Sequence, residues 1–496
     1  MENKTKHIIR FFLIFVIFLF IVNCSEINKK ILGDEDDSET KLLTQLLVLR
    51  VLSNNSNCSG GFWVRNVNTN KSYCSQATLV GSSNNLDLYV ENGLDTGLDY
   101  QDVVNNFESK IYPAETEAFG TPTDINNDGK ITVLIVDIQD QELLSSGFVA
   151  GFMDPVNFYK DSRASSIRSN QREIIYLDGK ELIALRNQEL ALGRSDTFLS
   201  TLAHEYQHLI RYKYGEGQDD TWIDEGSSEA ASDITGFGPQ VARLLCFRGD
   251  SGSSCSGGVG GSTLFSWNST LKNYAFAYTF MRYLFDVSGS SEQERYNFFK
   301  AAASGDSNGV RANSAENLIR VFMSSAAKYD SSVLGADTKT VFQKLFASYI
   351  AQSTGYTDLN NVYFGSTTAV DVDTVRTLYS LPSDFTPTIY QPAYSAAAKQ
   401  SSYSLYPSQV YRVSGSTSGS QDSNTVIIKR NSSEFIIFNG NINATYSTTV
   451  SASIQYPLEI PKLHSNEIGI VCPMDYLRQV HKIEKKMYDL KLVKRF

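Results

Sequence analysis

Residues 196–215 read DTFLSTLAHEYQHLIRYKYG and are the most informative segment for the fold. Its apolar residues recur at the spacing of an amphipathic helix. They are Phe198, Leu199, Leu202, Ala203, Leu209 and Ile210. Ser195 or Asp196 can cap the start of this helix, and Gly215 can end it. His204 and His208 stand four residues apart, so the helix places both imidazoles on one face.

Two imidazoles on one helix face, with Glu205 beside them in an HExxH motif, predict a zinc site. Zn²⁺ in hydrolytic sites takes two such nitrogens and one carboxylate, and it keeps a position for water. The chain contains only five histidines. His7 precedes an apolar leader segment, and His464 and His481 lie in the C-terminal tail. We therefore expect the third ligand to be a carboxylate.

The next predicted helix, TWIDEGSSEAASD at residues 221–233, offers three such carboxylates. Glu225, Glu229 and Asp233 are spaced by four and line one face of an otherwise apolar, Ala- and Ser-rich helix. A row of acids in that setting is costly unless it meets a cation or the ligands of one.

HExxH followed by Trp222-Ile-Asp-Glu225-Gly226 resembles the gluzincin metallopeptidases. In aminopeptidase-type members the Glu before the Gly is the third zinc ligand, which implies Glu225. In thermolysin-type members the ligand is the first acid of an ExxxD pair, which implies Glu229 with Asp233. Trp222 and Gly226 favour Glu225, and Glu229 would then orient a ligating histidine.

Four further segments resemble the hyicolysin family of secreted zinc metallopeptidases. They are DINNDGKITVLIVDI (124–138), GFVAGFMDPVNFY (147–159), SNQREIIYLD (169–178) and NYAFAYTFMRYL (273–284). The resemblance covers roughly residues 100 to 290. It implies a zincin-type catalytic domain, in which a mixed sheet packs with the active-site helix and a helical C-terminal lobe.

The expected reaction is hydrolysis of protein or peptide substrates by a zinc-activated water, with Glu205 as general base. A donor must also stabilise the oxyanion that forms. No histidine is suitably placed for this, and aminopeptidase-type relatives use a tyrosine hydroxyl. Tyr274 and Tyr278 on the following helix are the candidates.

Asp124, Asn126 and Asp128 precede Gly129 and resemble the first half of an EF-hand loop, which makes Ca²⁺ a second candidate cofactor. The twelfth position is Ile135 rather than Glu, so a full EF-hand is excluded. A structural Ca²⁺ loop and an Asx-rich turn before a strand remain alternatives.

Composition and pattern together predict an α+β protein with a β-rich N-terminal region and a β-sandwich-like C-terminal module. Of the 496 residues, 42% are apolar and 20% charged, which excludes wholesale disorder. The net charge of −10 argues against nucleic acid as a partner. The expected divisions are a signal peptide (1–23), a lipidated tether (24–45), the β-rich N-terminal region (46–105), the metallopeptidase domain (106–384), the β-rich C-terminal module (385–465) and a basic tail (466–496).

The N-terminus predicts export. Basic residues precede a run of twelve apolar residues, 11–22, which is shorter than the roughly 20 that a membrane span needs. Cys24 follows this run as in a relaxed bacterial lipobox, which predicts a diacylated lipoprotein on the cell surface or in the periplasm. A plain signal peptide and a secreted protein are the alternative.

Export permits disulfides. Cys58 with Cys74, and Cys246 with Cys255, are the natural local pairs, and Cys472 is left over. Sequence alone leaves the pairing open.

Two other functions stay open beside the surface-anchored zinc endopeptidase. The first is a catalytically inactive adhesin or binding lipoprotein that keeps the peptidase scaffold. The second is an aminopeptidase-like exopeptidase, although we find no motif that would grip the free amine of a substrate.

Overall fold

The computed structural model describes residues 58–140, 148–162, 165–238, 241–248, 258–353, 403–414, 424–429, 434–442 and 448–450. The predicted signal peptide, tether and basic tail lie outside these residues, as do Cys24, His464 and His481. The chain divides into two units, and every element below belongs to the unit Cys58–Ser162 with Ser166–Phe496. Within the described segments, no helix combines the length and apolar character that crossing a membrane requires.

One mixed sheet of six strands forms the N-terminal half of the described chain. Its strands are β1 (Gly61–Asn66), β2 (Lys71–Ser82), β3 (Leu86–Glu91), β4 (Ile131–Val136), β5 (Gly151–Met153) and β6 (Ile174–Asp178). Their order across the sheet is β1-β2-β3-β4-β6-β5. Strands β1 to β3 pair antiparallel, and β3, β4 and β6 pair parallel. The short strand β5 runs antiparallel to β6 at the edge of the sheet.

Two short apolar segments, 131–136 and 174–178, form neighbouring strands of this sheet. Thr132 pairs with Ile174 and Val136 with Asp178. Every residue of β4 and β6 is buried, as expected for central strands covered on both faces. The β-rich N-terminal strands continue this same sheet through the pairing of β3 with β4.

Helices surround and follow the sheet. They are α1 (Tyr100–Asn106), α2 (Tyr112–Phe119), α3 (Glu181–Ala191), α4 (Thr197–Gly215), α5 (Thr221–Ser232), α6 (Val241–Arg248), α7 (Leu271–Ser288), α8 (Glu292–Ser304), α9 (Ala315–Ser325), α10 (Ser331–Leu334) and α11 (Thr338–Ser353). A mixed sheet followed by a mainly helical half is compatible with the α+β class that the sequence predicts.

Helix α4 begins and ends as the HExxH stretch predicts, with one difference at its C-terminus. The Asp196 side chain accepts hydrogen bonds from the N–H groups of Phe198 and Leu199. Gly215 is the last helical residue, but the left-handed position after it is taken by Glu216, with φ 48°. A Cβ on Gly215 would lie 2.6 Å from a guanidinium nitrogen of Arg311, so this glycine permits close packing.

Helices α5 and α7 pack closely, and this explains two residues of the Trp222-to-Gly226 motif. A Cβ on Gly226 would lie 2.8 Å from the carbonyl oxygen of Ala277, so only glycine allows the two backbones to approach this far. The Trp222 ring packs against the rings of Phe265 and Phe280, with centroid distances of 5.7 and 6.3 Å. Both residues therefore fix the position of α5.

The C-terminal part of the described chain is rich in strands, as predicted. They are β7 (Tyr403–Leu405), β8 (Val410–Ser414), β9 (Thr425–Lys429), β10 (Glu434–Asn439) and β11 (Thr448–Val450). They form a three-stranded sheet, β8-β10-β9, and a two-stranded sheet, β11-β7. These strands pack on the helical half, where the ring of Phe438 meets that of Phe346 at 5.1 Å.

Of the candidate disulfides, Cys58–Cys74 is present and ties the segment before β1 to β2. Cys246 on α6 is also disulfide-bonded. Its predicted partner, Cys255, lies outside the described residues.

Candidate metal centre

The two histidines of α4 converge as the helical spacing predicts. Both side chains are buried, and Nε2 of His204 lies 3.1 Å from Nε2 of His208. Two imidazole nitrogens at this distance, inside a buried site, present their lone pairs to a common point.

Helix α5 brings a carboxylate to the same point. Oε2 of Glu225 lies 3.4 Å from Nε2 of His204 and 3.4 Å from Nε2 of His208. The Glu225 side chain is fully buried. Apart from these contacts with the imidazoles, neither of its oxygens accepts a hydrogen bond from a described residue. A buried carboxylate with so few donors around it is the expected state of a metal ligand.

The three atoms fit Zn²⁺ on a geometric test. Zinc binds imidazole nitrogen and carboxylate oxygen at about 2.0–2.2 Å, and ligands at those distances in a tetrahedron are about 3.3–3.6 Å apart. The separations here are 3.1, 3.4 and 3.4 Å. His204, His208 and Glu225 could therefore hold a zinc ion and leave a fourth position open.

Glu225 is held as a carboxylate. Burial by itself would raise the pKa of Glu225, but the facing imidazoles of His208 and His204 outweigh burial and lower the pKa to about 2. The ionised form, which is the form that binds metal, is therefore the one present at neutral pH.

Glu205, the predicted general base, lies beside this cluster and next to the edge strand β5. Burial raises the pKa of Glu205, and the imidazoles of His204 and His208 oppose that rise. The backbone N–H of Met153 on β5 donates to its carboxylate. A Cβ on Gly151 would lie 3.2 Å from Cγ of Glu205, so glycine lets the edge strand pass close to this residue.

The other two acids of α5 have different partners. Oε1 of Glu229 accepts a hydrogen bond from Nε of Arg243 at 3.0 Å and lies 3.8 Å from Nδ1 of His204, on the far side of that ring from Glu225. Oδ2 of Asp233 accepts from the Tyr278 hydroxyl at 2.7 Å and lies 3.1 Å from Nε of Arg282. Each acid of α5 therefore faces a histidine of the metal centre or an arginine, which offsets the cost of burying its charge.

Two residues that were not predicted from the sequence, Asp224 and Ser228, surround the other nitrogen of His208. Nδ1 lies 3.1 Å from the hydroxyl of Ser228 and 3.3 Å from Oδ1 of Asp224. The Ser228 hydroxyl itself contacts Oε1 of Gln207 and the carbonyl of Asp224, so its one hydrogen is used there. The two oxygens that face Nδ1 favour the tautomer with the proton on Nδ1 and the metal-binding lone pair on Nε2.

A signal for these two residues was present in the sequence. Asp224 and Ser228 are four residues apart, so α5 presents them on one face next to that of Glu225.

The candidate oxyanion donors are both buried on α7. The Tyr278 hydroxyl donates its single proton to Asp233. The ring of Tyr274 packs edge-on against Trp267, with Arg243 over its face at 4.6 Å. Both tyrosines thus contribute to the packing of α5, α6 and α7, and their role as oxyanion donors stays a prediction.

The candidate calcium loop closes on itself through Asx-type hydrogen bonds. Oδ1 of Asp124 accepts from the N–H of Gly129, and Oδ1 of Asp128 accepts from the N–H of Lys130. The Asn126 amide donates to Asp128 at 2.6 Å. This is the geometry of the turn that was the alternative to a Ca²⁺ site.

A second acidic cluster, Asp137, Asp178 and Glu181, lies at the ends of β4 and β6. Asp178 accepts three backbone N–H bonds. Lys180 forms an ion pair with Asp137. Backbone N–H groups and Lys180 thus contact two of the three acids, and we assign no metal to this cluster.

Comparison with known proteins agrees with the metal centre. The chain is similar to the neutral metalloprotease ShpI of Staphylococcus hyicus, with 27% identity over 232 residues. The aligned part covers 45% of this chain and 50% of that protein, so the chain spans about half the length of the curated relative it matches. No family model matches the chain. The similarity supports a metallopeptidase family.

Proposed function

We propose that this protein is a zinc-dependent endopeptidase of the gluzincin type, related to the hyicolysin family. The observation that carries the proposal is the convergence of His204 Nε2, His208 Nε2 and Glu225 Oε2 within 3.4 Å of one another, next to buried Glu205. The partial similarity to a neutral metalloprotease supports it.

Each residue of the centre has a distinct task. His204 and His208 hold the metal through Nε2, and Glu225 holds it through Oε2. Zn²⁺, when bound, supplies a Lewis acid that polarises the scissile carbonyl and favours ionisation of water. Glu205 accepts a proton from the attacking water at its carboxylate and then delivers it to the nitrogen of the leaving amine.

The position of β5 favours cleavage within a chain. An extended peptide can add to the edge strand of a sheet as a further strand, and β5 is such a strand, although its three residues are buried. Strand β5 passes beside Glu205 at Gly151.

The base assignment is tested with Glu205→Gln, which keeps the shape of the side chain and removes the base. We expect casein cleavage to fall by about 10²- to 10⁴-fold while one zinc ion stays bound per chain. Glu117→Gln, the same change at an exposed position of α2, serves as the control and should cleave at the wild-type rate. Near-native cleavage by zinc-loaded Glu205→Gln would refute the assignment.

The choice of substrate separates the remaining functions. An endopeptidase cleaves casein and leaves single-residue amides intact, whereas an exopeptidase shows the opposite preference. A zinc-loaded protein that cleaves neither would be the adhesin or binding lipoprotein.

We also propose that the exported protein is held at the membrane through a lipid on Cys24, which lies outside the described residues. The support is the basic, apolar and Cys24 order of the N-terminus. Cys24→Ser should move the protein from the membrane fraction to the soluble fraction and abolish labelling with a fatty-acid analogue. Recovery of the unchanged protein in the soluble fraction would favour the secreted alternative.

A further inference from the structure

A network of alternating acidic and basic side chains extends from the metal centre; we call it the Asp224–Arg311 network. Oδ1 of Asp224 faces Nδ1 of His208 at 3.3 Å, and Nε of Arg211 lies 3.6 Å from the same oxygen. Nε of Arg211 also donates to Oδ2 of Asp219 at 2.7 Å. Arg311 is the last member of this network and donates two hydrogen bonds to Asp219, at 2.9 and 3.0 Å.

The side chains of the Asp224–Arg311 network are mostly buried. The side chain of Arg211 is 2% exposed, that of Asp219 4% and that of Asp224 9%. A buried carboxylate needs a nearby positive charge, and Arg211 is the cation that the structure places beside Asp224. Because Arg211 is one turn past His208 on α4, it can reach α5 and fix the distance between the two helices that carry the metal ligands.

The Asp224–Arg311 network also contacts the loop between α8 and α9. Nη2 of Arg211 donates to the carbonyl of Ala312 at 2.5 Å. The N–H of Asp220, at the start of α5, donates to the carbonyl of Asn313. Gly215 leaves the space in which Arg311 reaches Asp219. The connection between α4 and α5 is therefore held by the loop between α8 and α9.

We propose that Arg211 is a positioning residue of the metal centre, which holds Asp224 against Nδ1 of His208 and is itself fixed by Asp219 and Arg311. Asp224 keeps the proton on Nδ1, so that Nε2 points at the metal with its lone pair. This inference rests on the proposed zinc site. It adds to that site residues that touch neither the metal nor the substrate.

The test is a double-mutant cycle on zinc affinity, measured by competition with a chelator on the purified protein. Partners that orient a metal-ligating histidine are typically worth about 10- to 100-fold in metal affinity. We expect Arg211→Met and Asp224→Asn each to weaken zinc binding by about tenfold or more. Because Arg211 acts through Asp224, the double variant should bind zinc about as well as either single variant.

The double variant also guards against misfolding. Arg211→Met alone removes a positive charge beside Asp224, whereas the double variant removes the negative charge of Asp224 as well and keeps the Asp219–Arg311 pair. Arg211→Lys keeps the charge and should recover part of the lost affinity. The absorption spectrum of the Co²⁺-loaded protein, which reports ligand geometry, should change in Arg211→Met and return toward wild type in Arg211→Lys.

The matched control is Arg168→Met, which removes another largely buried arginine whose ion pair is with Asp161. It should lower the melting temperature and leave zinc affinity and the Co²⁺ spectrum unchanged. The proposal is overturned if Arg211→Met behaves like this control, or if the losses of the two single variants multiply in the double variant. If the wild-type protein itself binds no zinc, the proposed function fails, and this inference fails with it.

Discussion

Oε2 of Glu225 lies 3.4 Å from Nε2 of His208, while Nδ1 on the other side of the same ring faces a different group of α5. One helix thus supplies both the candidate third ligand and the residue that orients a histidine ligand. The consequences of this arrangement can be measured.

Zinc affinity should distinguish the two competing carboxylates. Glu225→Gln removes the negative charge of the group that meets both Nε2 atoms, so we expect zinc binding to weaken by more than about 100-fold. Glu229→Gln changes a group 3.8 Å from His204 Nδ1, and the loss should stay within the about 10- to 100-fold typical of orienting partners. Chelator competition measures both variants, with circular dichroism as the check on folding. A larger loss in Glu229→Gln would favour the thermolysin-type register.

Removal of zinc should destabilise the protein, because the ion binds the folded centre. At free zinc of about 100 times the dissociation constant, the expected contribution is about 2.7 kcal/mol. Thermal melts with and without a chelator measure this difference. His208→Ala, which lacks a ligand, serves as the comparison and should melt at the same temperature in both conditions. A wild-type melting temperature that ignores the chelator would contradict a zinc site.

Gly226→Ala should destabilise the packing of α5 on α7. A Cβ at this position would lie 2.8 Å from the carbonyl oxygen of Ala277 and 2.8 Å from Cγ of Met281. Overpacking of this kind typically costs about 1–3 kcal/mol. Alanine favours a helix over glycine by about 1 kcal/mol. A net loss of stability in denaturant unfolding therefore measures the clash, and a gain would show that the helices can separate at no cost.

Ser227→Ala, at the next position of the same helix, is the control for that experiment. It removes the hydroxyl that donates to the carbonyl of Ile223 and adds no volume. We expect it to cost about 1 kcal/mol or less.

Glu115 on α2 should make stability depend on pH. It is fully buried, neither carboxylate oxygen accepts a hydrogen bond from the described residues, and burial raises its pKa well above the usual range. The folded state therefore keeps a proton that the unfolded state releases. This contribution is fully present below the unfolded pKa, near 4.5, and is lost as pH rises toward the folded pKa.

Glu115→Gln removes this titration. The free energy of unfolding of the variant, relative to that of the wild type, should therefore increase as pH rises and be higher at pH 8 than at pH 4.5. Unfolding is measured on zinc-free protein, because a bound cation favours ionised carboxylates nearby. Glu117→Gln, exposed on the same helix, should change stability by less than about 0.5 kcal/mol at either pH. Parallel pH curves for Glu115→Gln and wild type would contradict the prediction.

Several elements could be predicted because they depend on local spacing alone. The helix at 197–215, its Asp196 cap and the shared face of His204 and His208 follow from the period of the α-helix. The strands at 131–136 and 174–178 follow from short, continuous apolar runs. The Cys58–Cys74 pair was one of two natural local pairs, and the fold brings it together.

Other features depend on how distant segments meet. Two registers for the third ligand fit the sequence equally by helical spacing, because Glu225 and Glu229 lie on the same face of α5. Which carboxylate reaches both Nε2 atoms depends on how far α5 sits along α4. That offset is set by the packing of Trp222 and Gly226 on α7 and by the contacts of Arg211 and Asp219.

The sequence by itself thus determined the donor set: two imidazoles four residues apart, a glutamate beside them and a row of acids on the next helix. The scarcity of histidine made a carboxylate the expected third donor. Only the tertiary structure decided that Glu225 meets the imidazoles, that Asp224 and Ser228 face Nδ1 of His208, and that β5 passes beside Glu205. The physical reason is that helical periodicity fixes the face on which a side chain lies, whereas the closest approach of two helices depends on residues far apart in the chain.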